Sequence, residues 1–310
     1  MNNVTGVALA VLAGAGAAVQ ARINGELGLR LGNGIAAATI SFGIGLVLLL
    51  CAIGWMRPGL HKVRLALRDR SLRWWQLLGG VCGAFLVATQ GLTVPLLGVA
   101  VFTVAIVAGQ SASSLAVDRA GLAPGGKRAI TANRAWGAAL CVLAVAIAVS
   151  DRLGDAKALG LALLPALAGV GVAWQQGMNG FVRQAAGANL PPTLINFSVG
   201  TAALLLVLTV DLLNRGRIEP LPPEPWLYLG GPLGILFIAT AAAVVKRIGV
   251  LLLSMGAIAG QVSASLVIDA VAPSAAGPPH ARTIAGALLA VAAVALASRL
   301  PLRRFRRSLR

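Results

Sequence analysis

The chain has 310 residues, 58% hydrophobic and 11% charged, with a mean hydropathy of +0.85. Soluble domains carry about 25% charged residues, so this chain cannot hide its apolar side chains from water, and lipid is the solvent for most of it. The formal charge of +17 does not imply a nucleic-acid partner, because Lys and Arg fall in short loops between apolar runs and in the C-terminal tail, which is the positive-inside pattern rather than a DNA-binding face.

A bilayer-spanning helix takes about 20 mostly apolar residues. Ten segments qualify: 4–21, 35–55, 74–92, 96–117, 135–150, 158–176, 191–212, 226–245, 249–268 and 282–299. The first contains the small residues Ala13 to Ala18, which resemble a cleavage site, but no Lys or Arg precedes Arg22, so it reads as a membrane helix rather than a signal peptide. A hinge is expected at Thr93-Val94-Pro95. Cys51, Cys82 and Cys141 lie inside apolar segments without ligand-like spacing and read as buried thiols. His61 and His280 are loop residues with no acid or Cys cluster beside them, so no metal site, cofactor or catalytic histidine is expected.

One stretch occurs twice. Residues 109–118 and 260–269 share Gly, Gln, Ser, Leu and Asp at the same five of ten places. Gln110, Ser114 and Asp118 are spaced i, i+4, i+8 and form one stripe on a helix, as do Gln261, Ser265 and Asp269. Unpaired polar groups in hydrocarbon cost several kcal/mol, so both stripes are expected to face the protein interior or a wet cavity. The repeat extends further. Gln20, Asn24, Gly25, Phe42 and Gly45 match Gln175, Asn179, Gly180, Phe197 and Gly200 at an offset of 155, with Ser41 opposite Asn196. Trp75, Gly79, Gly80, Gly83 and Thr89 match Trp226, Gly230, Gly231, Gly234 and Thr240 at 151, and Gly137, Ala138 and Leu140 match Gly286, Ala287 and Leu289 at 149. The expected division is 1–155 and 156–310, five helices each.

An odd number of helices per half makes the second half enter the membrane from the opposite side. Charge tests this independently. With the N-terminus in the cytoplasm, 19 of the 26 Lys and Arg fall on the cytoplasmic side and seven outside, which orients both termini inward. Loops 213–225 and 269–281 carry two basic residues and none, where their counterparts 56–73 and 118–134 carry six and four. The expected fold is an all-α integral membrane protein of ten transmembrane helices in two inverted five-helix repeats. In membrane proteins that arrangement is typical of secondary transporters working by alternating access.

Ten helices in two inverted halves resemble the drug/metabolite transporter superfamily. Gln20-xxx-Asn24-Gly25, Ser41-Phe42-Gly43, Gly109-Gln110 and Ser114-Leu115-xx-Asp118, with their second copies, resemble its YdcZ-type branch. The resemblance covers nearly the whole chain except loops 56–73 and 269–281 and the tail. It implies an inner-membrane transporter of small solutes whose halves enclose a central cavity, and it supplies no substrate. The chain is more distantly similar to the four-helix small multidrug transporters, which bind cations and protons on a Glu in the first helix. Segment 4–21 holds no acid and Glu26 only follows it, so that mechanism does not carry over.

The expected solute contacts are neutral: Gln20, Asn24, Gln110 and Ser114, their counterparts Gln175, Asn179, Gln261 and Ser265, and Trp174 beside Gln175. Gln20 and Asn24 have two readings, as cavity amides at a helix end near a broken stretch, or as an Asn-Gly cap with Gln20 bonded to a neighbouring helix. Asp118 and Asp269 are the only acids at a repeated position. They are either gate or coupling sites on alternate faces or interfacial residues paired with a base, such as Arg119 for Asp118. Lys246-Arg247 reads as a snorkelling positive-inside anchor in a short link. The expected partners are a small-molecule solute and membrane lipids. A monomer is expected to hold a complete cavity, with a homo-oligomer left open. A lipid-carrier flippase on the same fold is the alternative. An embedded enzyme would need a nucleophile with a base, paired carboxylates or a metal site, and the sequence offers only serines without a base.

Overall fold

The computed structural model describes residues 3–124, 126–127, 129–148, 150, 156–215, 217–275 and 277–298. Arg128, Arg152 and the basic tail from Arg299, together with the side chains of Lys157, Lys246 and Arg247, lie outside the described residues.

The described chain is helical nearly throughout. Its α-helices are α1 (Asn3–Arg30), α2 (Gly34–Cys51), α3 (Ile53–Arg68), α4 (Gly79–Leu97), α5 (Val99–Ala120), α6 (Ala132–Ala148), α7 (Ala156–Ala186), α8 (Leu190–Arg215), α9 (Gly230–Val271) and α10 (Ala281–Ser298). Short 3₁₀ turns at Trp74–Leu78 and Pro225–Tyr228 lead into α4 and α9. Among the described residues, six stretches are long and apolar enough to cross a membrane: Val4–Arg30, Gly34–Cys51, Trp74–Leu97, Val99–Ala120, Gly160–Ala186 and Leu190–Asn214. Ala132–Ala148, Gly256–Val271 and Ala281–Leu296 are shorter apolar helices. Leu163, Leu206, Leu236 and Leu288 stand exposed on the outside of their helices, as lipid-facing side chains do.

Four boundaries differ from the sequence reading. First, α1 and α7 run past the Asn-Gly pairs without a break, so Asn24-Gly25 and Asn179-Gly180 are helix interior, neither caps nor ends. Gly25 is there for packing, since a Cβ on it would sit 2.7 Å from Val94 Cγ1. α1 ends instead at Arg30, followed by Gly32 in the left-handed region at φ 61. Asn33 then opens α2 by accepting from Ile35 N and Ala36 N, both at 3.0 Å. Second, the hinge is at Gly98 (φ 83, ψ 163), not at 93–95. Pro95 stays within the last turn of α4, and its carbonyl accepts from Ala275 N at 3.1 Å. Third, much of the basic loop 56–73 is the helix α3.

Fourth, the segments expected at 226–245 and 249–268 form one helical run. It is not a straight one. Gly230 packs on Asn24 of α1 and Gly260 packs on Val11. Those α1 residues are about 20 Å apart along the helix, whereas Gly230 and Gly260 would be about 45 Å apart in a straight α9. α9 therefore bends between its two ends, so that both lie along α1.

Close helix contacts are made through glycine. A Cβ on Gly14 would overlap the carbonyl of Ala257, and one on Gly260 that of Val11, which joins α1 to α9. A Cβ on Gly169 would overlap the carbonyl of Ile106, and one on Gly109 that of Ala166, which joins α7 to α5. The two sets use matching sequence positions. Backbones at this separation gain dispersion contacts along their length, which is the main source of helix association in lipid.

Candidate functional site

Two polar clusters form where these helices meet, and each contains an amide pair singled out in the sequence. In the first, Gln20 of α1 donates from Nε2 to Gly230 O at 2.9 Å. One turn on, Asn24 is fully buried and donates from Nδ2 to Gln90 Oε1 of α4 at 2.6 Å. Asn24 Oδ1 is buried with no hydrogen-bond partner. It lies 2.3 Å from where a Cβ on Gly230 would stand, and Ser41 Oγ of α2 is 2.6 Å from the same point. Only glycine fits at 230, since a side chain there would meet both oxygens. Gly231 and Gly234 continue this contact against Ser41 O and Gln20 Nε2.

The second cluster uses the matching positions of α7, α8 and the start of α4. Asn196 Nδ2 donates to Asn179 Oδ1 at 2.7 Å. A Cβ on Gly79 would lie 3.2 Å from both Asn179 Oδ1 and Asn196 Oδ1, and one on Gly83 would lie 2.7 Å from Gln175 Nε2. Gly80 packs against Asn196 O. Between the clusters, Phe42 of α2 and Phe197 of α8 pack with ring centroids 4.9 Å apart and planes tilted by 31°. Each ring sits against a glycine of the opposite helix, Phe197 on Gly45 and Phe42 on Gly200. Both clusters are built from neutral amides, a hydroxyl and backbone.

The stripe residues sit elsewhere. Ser114 donates to Ser111 O at 2.8 Å, and Ser265, fully buried, donates to Val262 O at 2.8 Å. Both serines satisfy themselves on their own helix. Gln110 is half-buried where α5 meets α7, with its backbone N 2.9 Å from the Cβ position of Gly169. Gln261 and Trp174 are half-buried in α9 and α7. Among the described residues, neither Gln110 nor Gln261 is hydrogen-bonded to a member of either cluster.

The two acids have unlike partners. Asp118, in the last turn of α5, pairs with Arg134 of α6 rather than with the exposed Arg119. Asp269 is buried. Its carboxylate accepts from Val99 N at 2.9 Å and Ala100 N at 2.7 Å. It caps α5 just past Gly98, supplying across 170 residues of chain what an N-cap side chain usually supplies locally. A carboxylate near its own helix C-terminus is unfavourable by about 0.3–1 kcal/mol, and the positive end of α5 offsets this.

At one end of α1, Arg30 bonds Glu26 at 3.0 Å and pairs with Glu224. A backbone N–H of its own residue, then the Arg30 guanidinium, hold the Glu224 carboxyl below its ordinary value.

A family model described as "Putative inner membrane exporter, YdcZ" matches the chain twice, over residues 5–147 and 160–296. The chain belongs to the YdcZ family. This YdcZ-family chain, with its apolar helices, is a multi-pass inner-membrane transporter. It is similar over 95% of its length to 96% of a solved chain described only as "Crystal structure of protein", at 19% identity and a TM-score of 0.54, a likeness of fold alone. No curated protein matches it.

The sequence reading of this YdcZ protein missed the roles of five residues. Ser41 and Asn196 stood out as an unlike pair at a matched position and Ser41 in a family-like motif, but neither as a site residue. The backbone faces of Gly230 and Gly79 stood out only as matched repeat positions and are walls of the polar clusters. Gln90 gave the weakest signal. It is a lone amide in an apolar run, and its matching position in the second half is Ala241.

Proposed function

We infer that the protein is a secondary transporter of a small solute working by alternating access, with residues 1–155 and 156–310 as inverted five-helix halves and both termini in the cytoplasm. Under that topology the Gln20–Asn24–Ser41 cluster lies toward the outside and the Gln175–Asn179–Asn196 cluster toward the cytoplasm. Each serves as a gate, and the Phe42–Phe197 pair separates them. Gln20, Asn24, Gln175 and Asn179 contact the solute when their gate opens, and Gln110, Gln261 and Trp174 line the path between. Asp269 and Asp118 act on the helix ends that move, and a monomer suffices.

The observation that carries this reading is the exchange of contacts. Amides of α1 and Ser41 of α2 close on glycines of α9, and amides at the matching positions of α7 and α8 close on matching glycines of α4. Two gates built alike and facing opposite ways are what alternating access requires. Their neutral chemistry favours a solute recognised by hydrogen bonds rather than by fixed charge.

The test is solid-supported membrane electrophysiology on proteoliposomes with cationic, anionic and zwitterionic solutes at two pH values. Two disulfide locks are added in a background lacking Cys51, Cys82 and Cys141: Ser41→Cys with Gly230→Cys, and Gly79→Cys with Asn196→Cys. Either lock should abolish a solute-dependent current, and reduction should restore it. A current that persists with one gate locked would overturn the two-gate reading.

A further inference from the structure

We propose that α3 is an interfacial helix that binds anionic phospholipid through a stripe of three arginines. α3 follows α2 after one residue, Ala52, so it starts where a membrane-crossing helix ends. With Arg57, Lys62, Arg64 and Arg68 in 16 residues it is too polar to cross the bilayer. At 3.6 residues per turn its side chains divide into three faces. Met56, Gly59, Val63 and Ala66 are buried, and Val63 and Ala66 pack on Val182 and Ala186 at the end of α7. Trp55, Pro58 and Leu65 are exposed along a second face, which also carries the exposed Lys62, with Trp55 86% exposed. Arg57, Arg64 and Arg68 are spaced i, i+7, i+11, form a third face and are all exposed. Among the described residues none of the three has an acidic partner.

An exposed tryptophan and leucine beside unpaired arginines match the layering of a bilayer surface, with acyl chain below and phosphate above. Guanidinium groups bind phosphate oxygens in pairs and remain charged at any relevant pH. A lipid surface is therefore the occupant that satisfies both free faces at once, whereas a soluble anion would leave Trp55 and Leu65 in water. The helix also rests on the α7–α8 turn: a Cβ on Gly59 would lie 2.7 Å from Pro191 Cγ. Lipid held on α3 thus braces the elements that carry Asn179 and Asn196.

Native mass spectrometry tests this on the full chain in detergent, incubated with equal amounts of phosphatidylglycerol and phosphatidylcholine of the same acyl chains. The wild type should retain phosphatidylglycerol preferentially. Each Arg→Gln change at 57, 64 and 68 should weaken that preference on the order of fivefold. The triple Arg→Lys variant should keep most of it. Arg119→Gln, an exposed arginine on another helix, should leave it unchanged. Helix content and melting without added lipid check that the variants fold. An unchanged preference in the triple Gln variant, an equal loss in Arg119→Gln, or no preference in the wild type would each overturn the proposal. So would full competition by free glycerol 3-phosphate, which would identify a soluble-anion site.

Discussion

Removing the Asp269 carboxylate is the sharpest perturbation of the α4–α5 junction. Asp269 accepts two backbone N–H groups at 2.9 and 2.7 Å in a buried setting. Hydrogen bonds to charged groups contribute about 1.5–3 kcal/mol each, and a buried donor left without a partner costs about 1–3 kcal/mol. The two are not additive, and the start of α5 can shift at Gly98, so Asp269→Ala is expected to cost about 2–4 kcal/mol. Asp269→Asn keeps one acceptor oxygen without the charge and should cost about half as much. Asp118→Ala removes an ion pair that solvent reaches, with side chains 19% and 26% exposed, and should cost about 1 kcal/mol or less. Chemical denaturation of the full chain in detergent, followed by tryptophan fluorescence, gives the ranking Asp269→Ala, Asp269→Asn, Asp118→Ala, wild type in order of rising stability. If Asp118→Ala were as damaging as Asp269→Ala, the capping account would fail. A wild-type-like Asp269→Ala would do the same.

Three further outcomes are expected. Gly230→Ala forces a Cβ onto Asn24 Oδ1 and should cost about 1–3 kcal/mol, more than Gly79→Ala, whose Cβ would stand 3.2 Å from the nearest oxygens; equal melting shifts would count against the tighter first cluster. Asn24→Ala and Gln90→Ala should couple in a double-mutant cycle by about 0.5–1.5 kcal/mol, since each strands the other's amide, and an additive cycle would mean the bond is not made. Glu224 has a lowered carboxyl pKa, so its contribution is full above the ordinary carboxylate value and disappears as the pH falls through the lowered one; an acid melting series should show wild type losing its advantage over Glu224→Gln only in that range, and an advantage unchanged by acid would refute the Arg30–Glu224 latch.

The sequence made the repeat and the amide pairs legible because a polar residue in an apolar run is rare and its recurrence at a fixed offset rarer. It misplaced helix ends for a physical reason. Asn-Gly terminates helices in water, where freed backbone groups find solvent. In lipid they do not, and the helix continues through. Gly25 and Gly180 then serve close packing, against Val94 and Pro124. The hinge falls at Gly98 for a different reason. Proline fixes φ at about −65°, a helical value, so α4 runs through Pro95 despite the lost N–H bond, whereas only glycine readily takes φ 83. α3 was hidden because its basic residues dominate the composition of 56–73. Its buried face has helical spacing, but two of the four residues are Gly59 and Ala66, which carry little hydrophobic signal.

The differences between the two clusters are more informative than their likeness. At the α2/α8 position the first half has Ser41 and the second has Asn196. At the α4/α9 position the first half has Gln90 and the second Ala241. Each cluster therefore contains one amide that bonds the Asn of α1 or α7, but supplied by a different helix. In the second, Asn196 ties α7 to α8 through Asn179. In the first, Ser41 is too short for this, and Gln90 ties α1 to α4 through Asn24 instead. A buried carboxamide left unbonded would cost about 1–3 kcal/mol, so losing one partner demands the other. The exchange leaves a residue of asymmetry. Asn24 Oδ1 remains without a partner, while Asn179 Oδ1 is bonded. The first cluster is thus the less satisfied of the two. If the clusters are gates, the free energies of the two open states differ by this one acceptor. Ser41→Asn combined with Gln90→Ala, which copies the second cluster into the first, should bring the two clusters closer to equal stability.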